Sequence, residues 1–363
     1  MLLALAVAAL VLLPAGIWVA GCALSGPRHQ GPVSDHFDGR RFSNQRATGH
    51  AGFPAFVRWM MNRDPGPWRD WTEAAPGPAP PPLVPDGRMR VTWVNHATVL
   101  LQMDGLNILT DPIWSERASP FPWIGPRRVR PPGVRFEDLP PIDLVLISHN
   151  HYDHLDLPTL RRLAAAHHPR FVVGLGNGAL LTRAGIPGVV ELDWWQSLDP
   201  APGIVVTAVP AQHFSSRGFC DRDATLWAGY VIEGPAGAAY FAGDTGFGPH
   251  FGQIRQRFGP VRLAMLPIGA FRPEWFMARA HLSPADAVRA HRALGAHTSL
   301  AIHYGTFRLG DDGQEEAPRR LREALAAAPA PRPRFWLLEF GEEREVPPPE
   351  AAATPPPAVP GRG

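Results

Sequence analysis

The sequence predicts an α/β fold, and three observations predict it. Short apolar runs of strand character alternate with segments of helical period from about residue 88 to residue 346. Between the apolar run that ends at Ile147 and the helical segment that begins at Pro158 lies Ser148-His149-Asn150-His151-Tyr152-Asp153-His154, with three imidazoles and a carboxylate in six residues. Further histidines and aspartates stand just past other apolar runs, which is where an α/β sheet presents side chains along one edge.

Length and composition agree with a globular chain. Its 363 residues are 45% hydrophobic and 19% charged, enough to build a sizeable core. A net charge of +2 with no block of lysine and arginine argues against nucleic acid as a partner. With two cysteines, Cys22 and Cys220, no disulfide framework and no thiolate-rich zinc module is expected, and Cys220 reads as an inert small side chain. Any metal must then rely on histidine and aspartate.

Four segments follow in order. Residues 1–24 read as a signal peptide with a lipoprotein site, or as a membrane anchor. Leu2 to Ala20 is apolar apart from Pro14 and Gly16, and Val19-Ala20-Gly21-Cys22 resembles the lipobox of bacterial lipoproteins, which would leave an acylated Cys22 in the envelope. Two other readings stay open: an uncleaved membrane helix, whose flank of Arg28, Arg40, Arg41 and Arg46 favours a cytoplasmic catalytic domain, and a buried core helix. Residues 25–87 form an extension whose Phe37, Phe42, Phe53, Phe56 and Trp59 can pack on a neighbour, running into a proline-rich linker or surface arm. Residues 88–346 are the working domain. Residues 347–363, rich in proline and alanine, are expected to be a disordered tail.

Within the domain a strand opens at Val91. Thr98 to Met103 and Leu106 to Leu109 flank Asp104-Gly105, a strong hairpin signal. Later strands are predicted at Asp143 to Ile147, Phe171 to Val173, Val189 to Leu192, Ile204 to Val209, Leu226 to Ile232, Ala238 to Ala242, Leu263 to Pro267, Ser299 to Ile302 and Phe335 to Phe340. Helices are predicted at Pro158 to Ala166, Gly178 to Ala184, Pro249 to Phe258, Pro284 to Leu294 and Ala317 to Ala327. Ser283 is the N-cap of the fourth, with proline in its first turn.

The strand ends supply seven candidate ligands: His149, His151, Asp153, His154, His213, Asp244 and His303. Imidazole nitrogen and carboxylate oxygen suit zinc and its first-row neighbours. Seven ligands suffice for two ions that each keep an open position, and ions ~3.5–4 Å apart can share a hydroxide. Two neighbours stay undecided. His281, just before a helix, is either a phosphate contact or proton donor, or an ordinary loop histidine. Asp111 either holds a ligand histidine by its second nitrogen or forms a turn before Pro112. His96, His167, His168, His250, His291 and His297 lack a strand-end setting and read as surface or satisfied core histidines. Trp194 and Trp195 read as packing residues.

The His-x-His-x-Asp-His pattern, a later His, Asp in Gly243-Asp244-Thr245 and a final His resemble the metallo-β-lactamase-fold hydrolases. Thr110-Asp111-Pro112-Ile113-Trp114, Arg117-Ala118-Ser119-Pro120, Pro140-Pro141-Ile142-Asp143, Glu191-Leu192-Asp193-Trp194-Trp195, Pro267-Ile268-Gly269-Ala270 and Ala301-Ile302-His303-Tyr304-Gly305-Thr306-Phe307 narrow it. Over about Val91 to Leu309 they resemble the N-acylphosphatidylethanolamine-hydrolysing phospholipase D family and its bacterial relatives. The resemblance implies a four-layer αββα sandwich holding two zinc ions, one on His149, His151 and His213, the other on Asp153, His154 and His303, with Asp244 bridging. It implies a phosphodiesterase using a metal-bridging hydroxide on a phospholipid at a membrane surface, with catalytic parts for Asp153, Asp244 and His281. The family can dimerise, which leaves a homodimer open. True β-lactamases of this fold commonly place a cysteine where Asp244 stands. A hydrolase of a soluble ester or lactone is the alternative, since fold does not fix substrate, and a non-catalytic envelope lipoprotein is disfavoured by the intact ligand set.

Overall fold

Alternation of inward and outward side chains along each strand builds this fold around two sheets. The computed structural model describes Gly16 and residues 18–47 and 52–349, so most of the predicted anchor and the tail from Glu350 lie outside the described residues. The strands are β1 (Met89–Asn95), β2 (Thr98–Met103), β3 (Leu106–Thr110), β4 (Leu144–Ile147), β5 (Arg170–Gly174), β6 (Val189–Leu192), β7 (Ser197–Ala201), β8 (Ile204–Val209), β9 (Gly229–Glu233), β10 (Ala239–Phe241), β11 (Leu263–Pro267), β12 (Thr298–Ile302), β13 (Phe335–Trp336) and β14 (Glu343–Glu345). One sheet runs β14-β1-β2-β3-β4-β5-β6 and the other β13-β12-β11-β10-β9-β8-β7. In each, an antiparallel meander passes into parallel strands, at β3–β4 in the first and β10–β11 in the second.

The helices are α1 (Phe53–Met61), α2 (Leu157–His167), α3 (Gly178–Arg183), α4 (His250–Phe258), α5 (Glu274–Met277), α6 (Pro284–Leu294) and α7 (Glu316–Ala327). Along β4, Leu144 and Leu146 face the second sheet while Val145 and Ile147 face α2 and α3, as a two-residue period dictates. The central core joins Trp93, Leu101 and Val172 to Val206, Tyr230, Phe241 and Met265 across the sheets. Leu160, Leu163 and Leu181 cover the outer face of the first sheet; Phe251, Ile254, Val288, Leu294 and Leu321 cover that of the second. The order of layers is therefore helix, sheet, sheet, helix.

Two edge strands carry no apolar run and so left no sequence signal: β7 is half exposed and contains Pro200, and β14 reads Glu343-Arg344-Glu345. Of the strand expected over Phe335 to Phe340, only Phe335–Trp336 pairs with β12; the chain then bends so that Leu338 and Phe340 plug the central core. Ser283 caps α6 as expected, its hydroxyl accepting from the Asp286 amide at 3.1 Å. In the extension, α1 is a helix whose Trp59 indole donates to Asp311 Oδ2 at 2.9 Å, and Phe37 and Phe42 are buried in the central core. The proline-rich arm lies on the domain: the carbonyls of Pro81 and Pro82 accept from Gln102 and Asn107.

Cys22 and Cys220 form a disulfide, Cα atoms 5.0 Å apart. This corrects the reading of Cys220 as an inert side chain; partners 198 residues apart along the chain leave no local trace of their pairing. A disulfide and an acylated thioether use the same sulfur, so they are alternative fates of Cys22. Among the described residues no helix is long and apolar enough to cross a membrane.

Candidate metal centre

Loops at one edge of the two sheets bring all seven predicted ligands together. His149, His151, Asp153 and His154 follow β4, His213 follows β8, Asp244 follows β10 and His303 follows β12 directly. The turn into Asp244 requires glycine: Gly243 has φ +58°, and a Cβ there would stand 2.4 Å from the Ser148 Cβ. His303 itself sits at φ +63°, a strained setting for a non-glycine residue of the sort that gathers at functional sites.

Two groups of donors result. His149 Nε2 lies 2.8 Å from His151 Nδ1, which lies 3.4 Å from His213 Nε2. Asp153 Oδ2 lies 3.3 Å from His154 Nε2 and 3.4 Å from His303 Nε2. Asp244 Oδ2 reaches into both, at 3.1 Å from His303, 3.3 Å from His154 and 3.8 Å from His213. Donors on a tetrahedral ion with metal–nitrogen bonds of ~2.0–2.1 Å stand about 3.3 Å apart, so these separations suit coordination. Buried His154 Nε2, His303 Nε2 and Asp244 Oδ1 have no hydrogen-bond partner among the described residues, which a protein tolerates poorly unless a ligand takes them up. The residues thus fit a metal.

The opposite ring nitrogens are tied down. His154 Nδ1 is 2.6 Å from Asp111 Oδ2, His149 Nδ1 is 2.9 Å from Ser148 Oγ, and His213 Nδ1 is 2.8 Å from the Ala280 carbonyl. Asp111 therefore takes the holding part, and its other oxygen accepts from the Ser148 amide at 2.7 Å. Replacing Asp111 by alanine should weaken metal affinity by about 10–100-fold while leaving the ligands themselves in place. A chelator competition titration checks this, and an unchanged affinity would refute the assignment.

His96 corrects the sequence reading. It was grouped with histidines lacking a strand-end setting, yet it follows β1 directly and is buried with Nε2 2.9 Å from Asp153 Oδ2. Its carbonyl accepts from the His303 amide at 2.8 Å. The sequence marks only the opening of that strand, at Val91; its end at Asn95 is what gives His96 a strand-end setting. Asn44 was missed as well: its side-chain amide donates to the His213 carbonyl at 2.8 Å and accepts from the His213 amide at 3.0 Å. Nothing local marks an asparagine in a polar arm as a partner of a residue 169 positions away. His281 lies at the site, Nδ1 3.7 Å from Asp244 Oδ2. His250 and His291 are buried beside Thr245 and Ser299, as core histidines. Trp194 packs in the core with its indole donating to the Trp227 carbonyl.

Burial drives the imidazoles of His96 and His151 down to about 3 and that of His281 to about 4, so all three are neutral at pH 7. Burial acts on Asp244 in the opposite sense, yet the charges of His303 and His154 outweigh it and hold the carboxyl well below its usual range. For His303, burial is overcome by the two carboxylates, which push it up to about 9. Asp244 is thus ready to take a cation as it stands, whereas His303 must first give up a proton.

Fold and site together define a metal-dependent hydrolase of the metallo-β-lactamase fold. The beta-lactamase superfamily domain matches residues 106–304, and the chain belongs to that superfamily. Its relatives include an uncharacterized protein of Mycobacterium tuberculosis, 44% identical over 70% of this chain and 69% of that one. N-acyl-phosphatidylethanolamine-hydrolyzing phospholipase D 1 of Caenorhabditis elegans is 38% identical over 65% of this chain and 69% of its own. The mitochondrial enzyme of the same description from Saccharomyces cerevisiae is 32% identical over 69% and 54%. Among solved structures, the metallo hydrolase Igni18 of Ignicoccus hospitalis superposes with a TM-score of 0.54 at 22% identity, covering 71% of this chain and 98% of that one, a likeness of fold.

Proposed function

We propose that this chain is a two-zinc phosphodiesterase of the phospholipase D type, hydrolysing N-acylphosphatidylethanolamine or a closely related phospholipid to phosphatidic acid and an amine-derived alcohol. One observation carries the substrate class: the 38% identity to the worm phospholipase D over most of the catalytic domain. The donor geometry supports the metal part of the reading, since one group of three imidazoles and a second group with Asp153 share Asp244 between them.

His149, His151 and His213 would hold one ion, Asp153, His154 and His303 the other, with Asp244 common to both. Bound metal supplies a nucleophile at neutral pH and charge neutralisation at the phosphoryl group. The chain's own residues do the rest. Asp153 and Asp244, held well below the usual carboxylate range by the neighbouring imidazoles despite their burial, would balance the cationic charge. Asp111 and Ser148 fix the rings of His154 and His149, so their inward nitrogens are aimed before substrate arrives. His281 is neutral near pH 7 and its Nδ1 has no partner, so its ring can offer a hydrogen bond to a phosphoryl oxygen that enters beside Asp244. It acts as a contact for the phosphate and not as an imidazolium acid.

A panel of phospholipids, bis(p-nitrophenyl) phosphate, simple esters and lactones tests the proposal. Chelator-sensitive release of phosphatidic acid from N-acylphosphatidylethanolamine is expected to exceed turnover of the esters and lactones. Turnover confined to an ester or lactone would replace the proposal with the soluble-substrate reading.

A further inference from the structure

Between Glu116 and Arg130 the chain makes a hairpin-like loop whose tip is uncovered among the described residues. Phe121, Trp123 and Ile124 are 36%, 72% and 59% exposed. The tip is nonetheless held in shape. Arg117 and Arg127 pair as an antiparallel bridge, the Ala118 amide donates to the Pro126 carbonyl at 3.0 Å, and the Arg128 amide donates to the Glu116 carbonyl at 2.8 Å. The Phe121 and Trp123 rings lie 5.3 Å apart.

Backbone chemistry at the tip is unusual for a surface loop. Pro120, Pro122 and Pro126 have no amide hydrogen to satisfy. Arg117 turns back and donates to the carbonyls of Pro122 and Gly125 at 3.1 and 2.7 Å, and the Phe121 amide donates to Ser119 Oγ at 3.1 Å. The prolines and the Arg117 and Ser119 side chains thus reduce the polar backbone that the tip would carry into a bilayer interface. Charge agrees: near the tip stand Arg117 and Arg127, and the one acid among residues 116–130 is Glu116, which pairs with Arg127, so the balance suits an anionic surface.

The loop is also tied to the metal centre. The Val129 amide donates to the Thr306 carbonyl at 2.9 Å, Arg128 bridges Phe307, and the edge of the Phe307 ring meets His96 at 5.3 Å. At the loop's base Ile113 and Ala118 pack with Phe307 and with Tyr152, which stands between His151 and Asp153.

We propose that Phe121, Trp123 and Ile124 insert into the interfacial region of an anionic lipid bilayer, with Arg117 and Arg127 at headgroup level, and so dock the metal centre on its substrate's surface. Aromatic rings favour that interfacial depth. The proposal rests on the phospholipase reading for its purpose but not for its test.

The full chain is mixed with vesicles of phosphatidylethanolamine and phosphatidylglycerol whose acyl chains are brominated, and tryptophan quenching is compared between the wild type and Trp123→Phe. Wild type should lose a component of fluorescence that the variant lacks; equal quenching overturns the proposal. In the Phe121→Ser, Trp123→Ser, Ile124→Ser triple variant, turnover of vesicle phospholipid should fall about tenfold or more. Turnover of bis(p-nitrophenyl) phosphate and metal content should hold. An unchanged vesicle rate, or equal loss on both substrates, overturns the docking role. A dimer that the triple variant dissolves, with Trp123 unquenched, assigns the face to a second copy instead. If the wild type hydrolyses no phospholipid yet Trp123 is quenched, the phospholipase reading fails and the docking stands.

Discussion

Asp244→Ala is expected to remove bound metal and turnover together. Among the described residues Asp244 is the one carboxylate within 3.8 Å of histidines from both donor groups, and it is buried. Without it two cations would face each other across a site that has lost the negative charge between them, in surroundings too dry to screen the repulsion. Several kcal/mol of transition-state charge stabilisation depend on those cations. At about 1.36 kcal/mol per decade this is roughly a thousandfold or more in kcat/KM. His151→Ala should deplete the first group more than the second, because His151 contacts His149 and His213 and not the Asp153 group. Metal analysis and kinetics on both variants, with Asp244→Asn as a shape-preserving control, test this. A fully loaded, fully active Asp244→Ala enzyme would disprove the shared-carboxylate assignment.

The second large effect is expected on metal removal. Chelation should abolish turnover, and zinc should restore it. The pH dependence of reloading follows from His303. Its pKa of about 9 in the metal-free fold means that a cation arriving at pH 7 must expel a proton. Apparent affinity should therefore rise as pH is raised from 6 towards 9, by about tenfold per unit for each proton displaced, and then level off. Stability of the chelated chain should show the complementary trend. A folded-state pKa above the ordinary 6.5 gives a stabilisation fully present below 6.5 and lost as pH climbs through about 9. That contribution is on the order of 3 kcal/mol, measurable by denaturant titration at pH 6.5 and 9.5. Proton release that is absent on zinc addition, or an affinity flat with pH, would count against His303 as a ligand.

Much of this architecture could be read from residue order because strand ends and chemistry coincide. Leu144–Ile147 and Leu263–Pro267 appear in the sequence as uninterrupted apolar runs, and buried parallel or central strands have little else to show. The seven candidate ligands stood out because imidazole and carboxylate directly after such runs have few structural uses. What escaped had no local period. Edge strands β7 and β14 are polar, and their pairing is decided by the neighbours β8 and β1. His96 was hidden because the strand opening at Val91 has no end marked in the sequence, and Asn44 and Cys220 act through partners 169 and 198 residues distant.

The ligand set divides between the two sheets: four donors follow β4 in the first, while His213, Asp244 and His303 follow strands of the second. A cation meeting the chain before those halves have joined would find an incomplete nest. Loading would thus be tied to final assembly, and bound metal would rivet one slab to the other, so that protease resistance along the seam should report occupancy as directly as catalysis does.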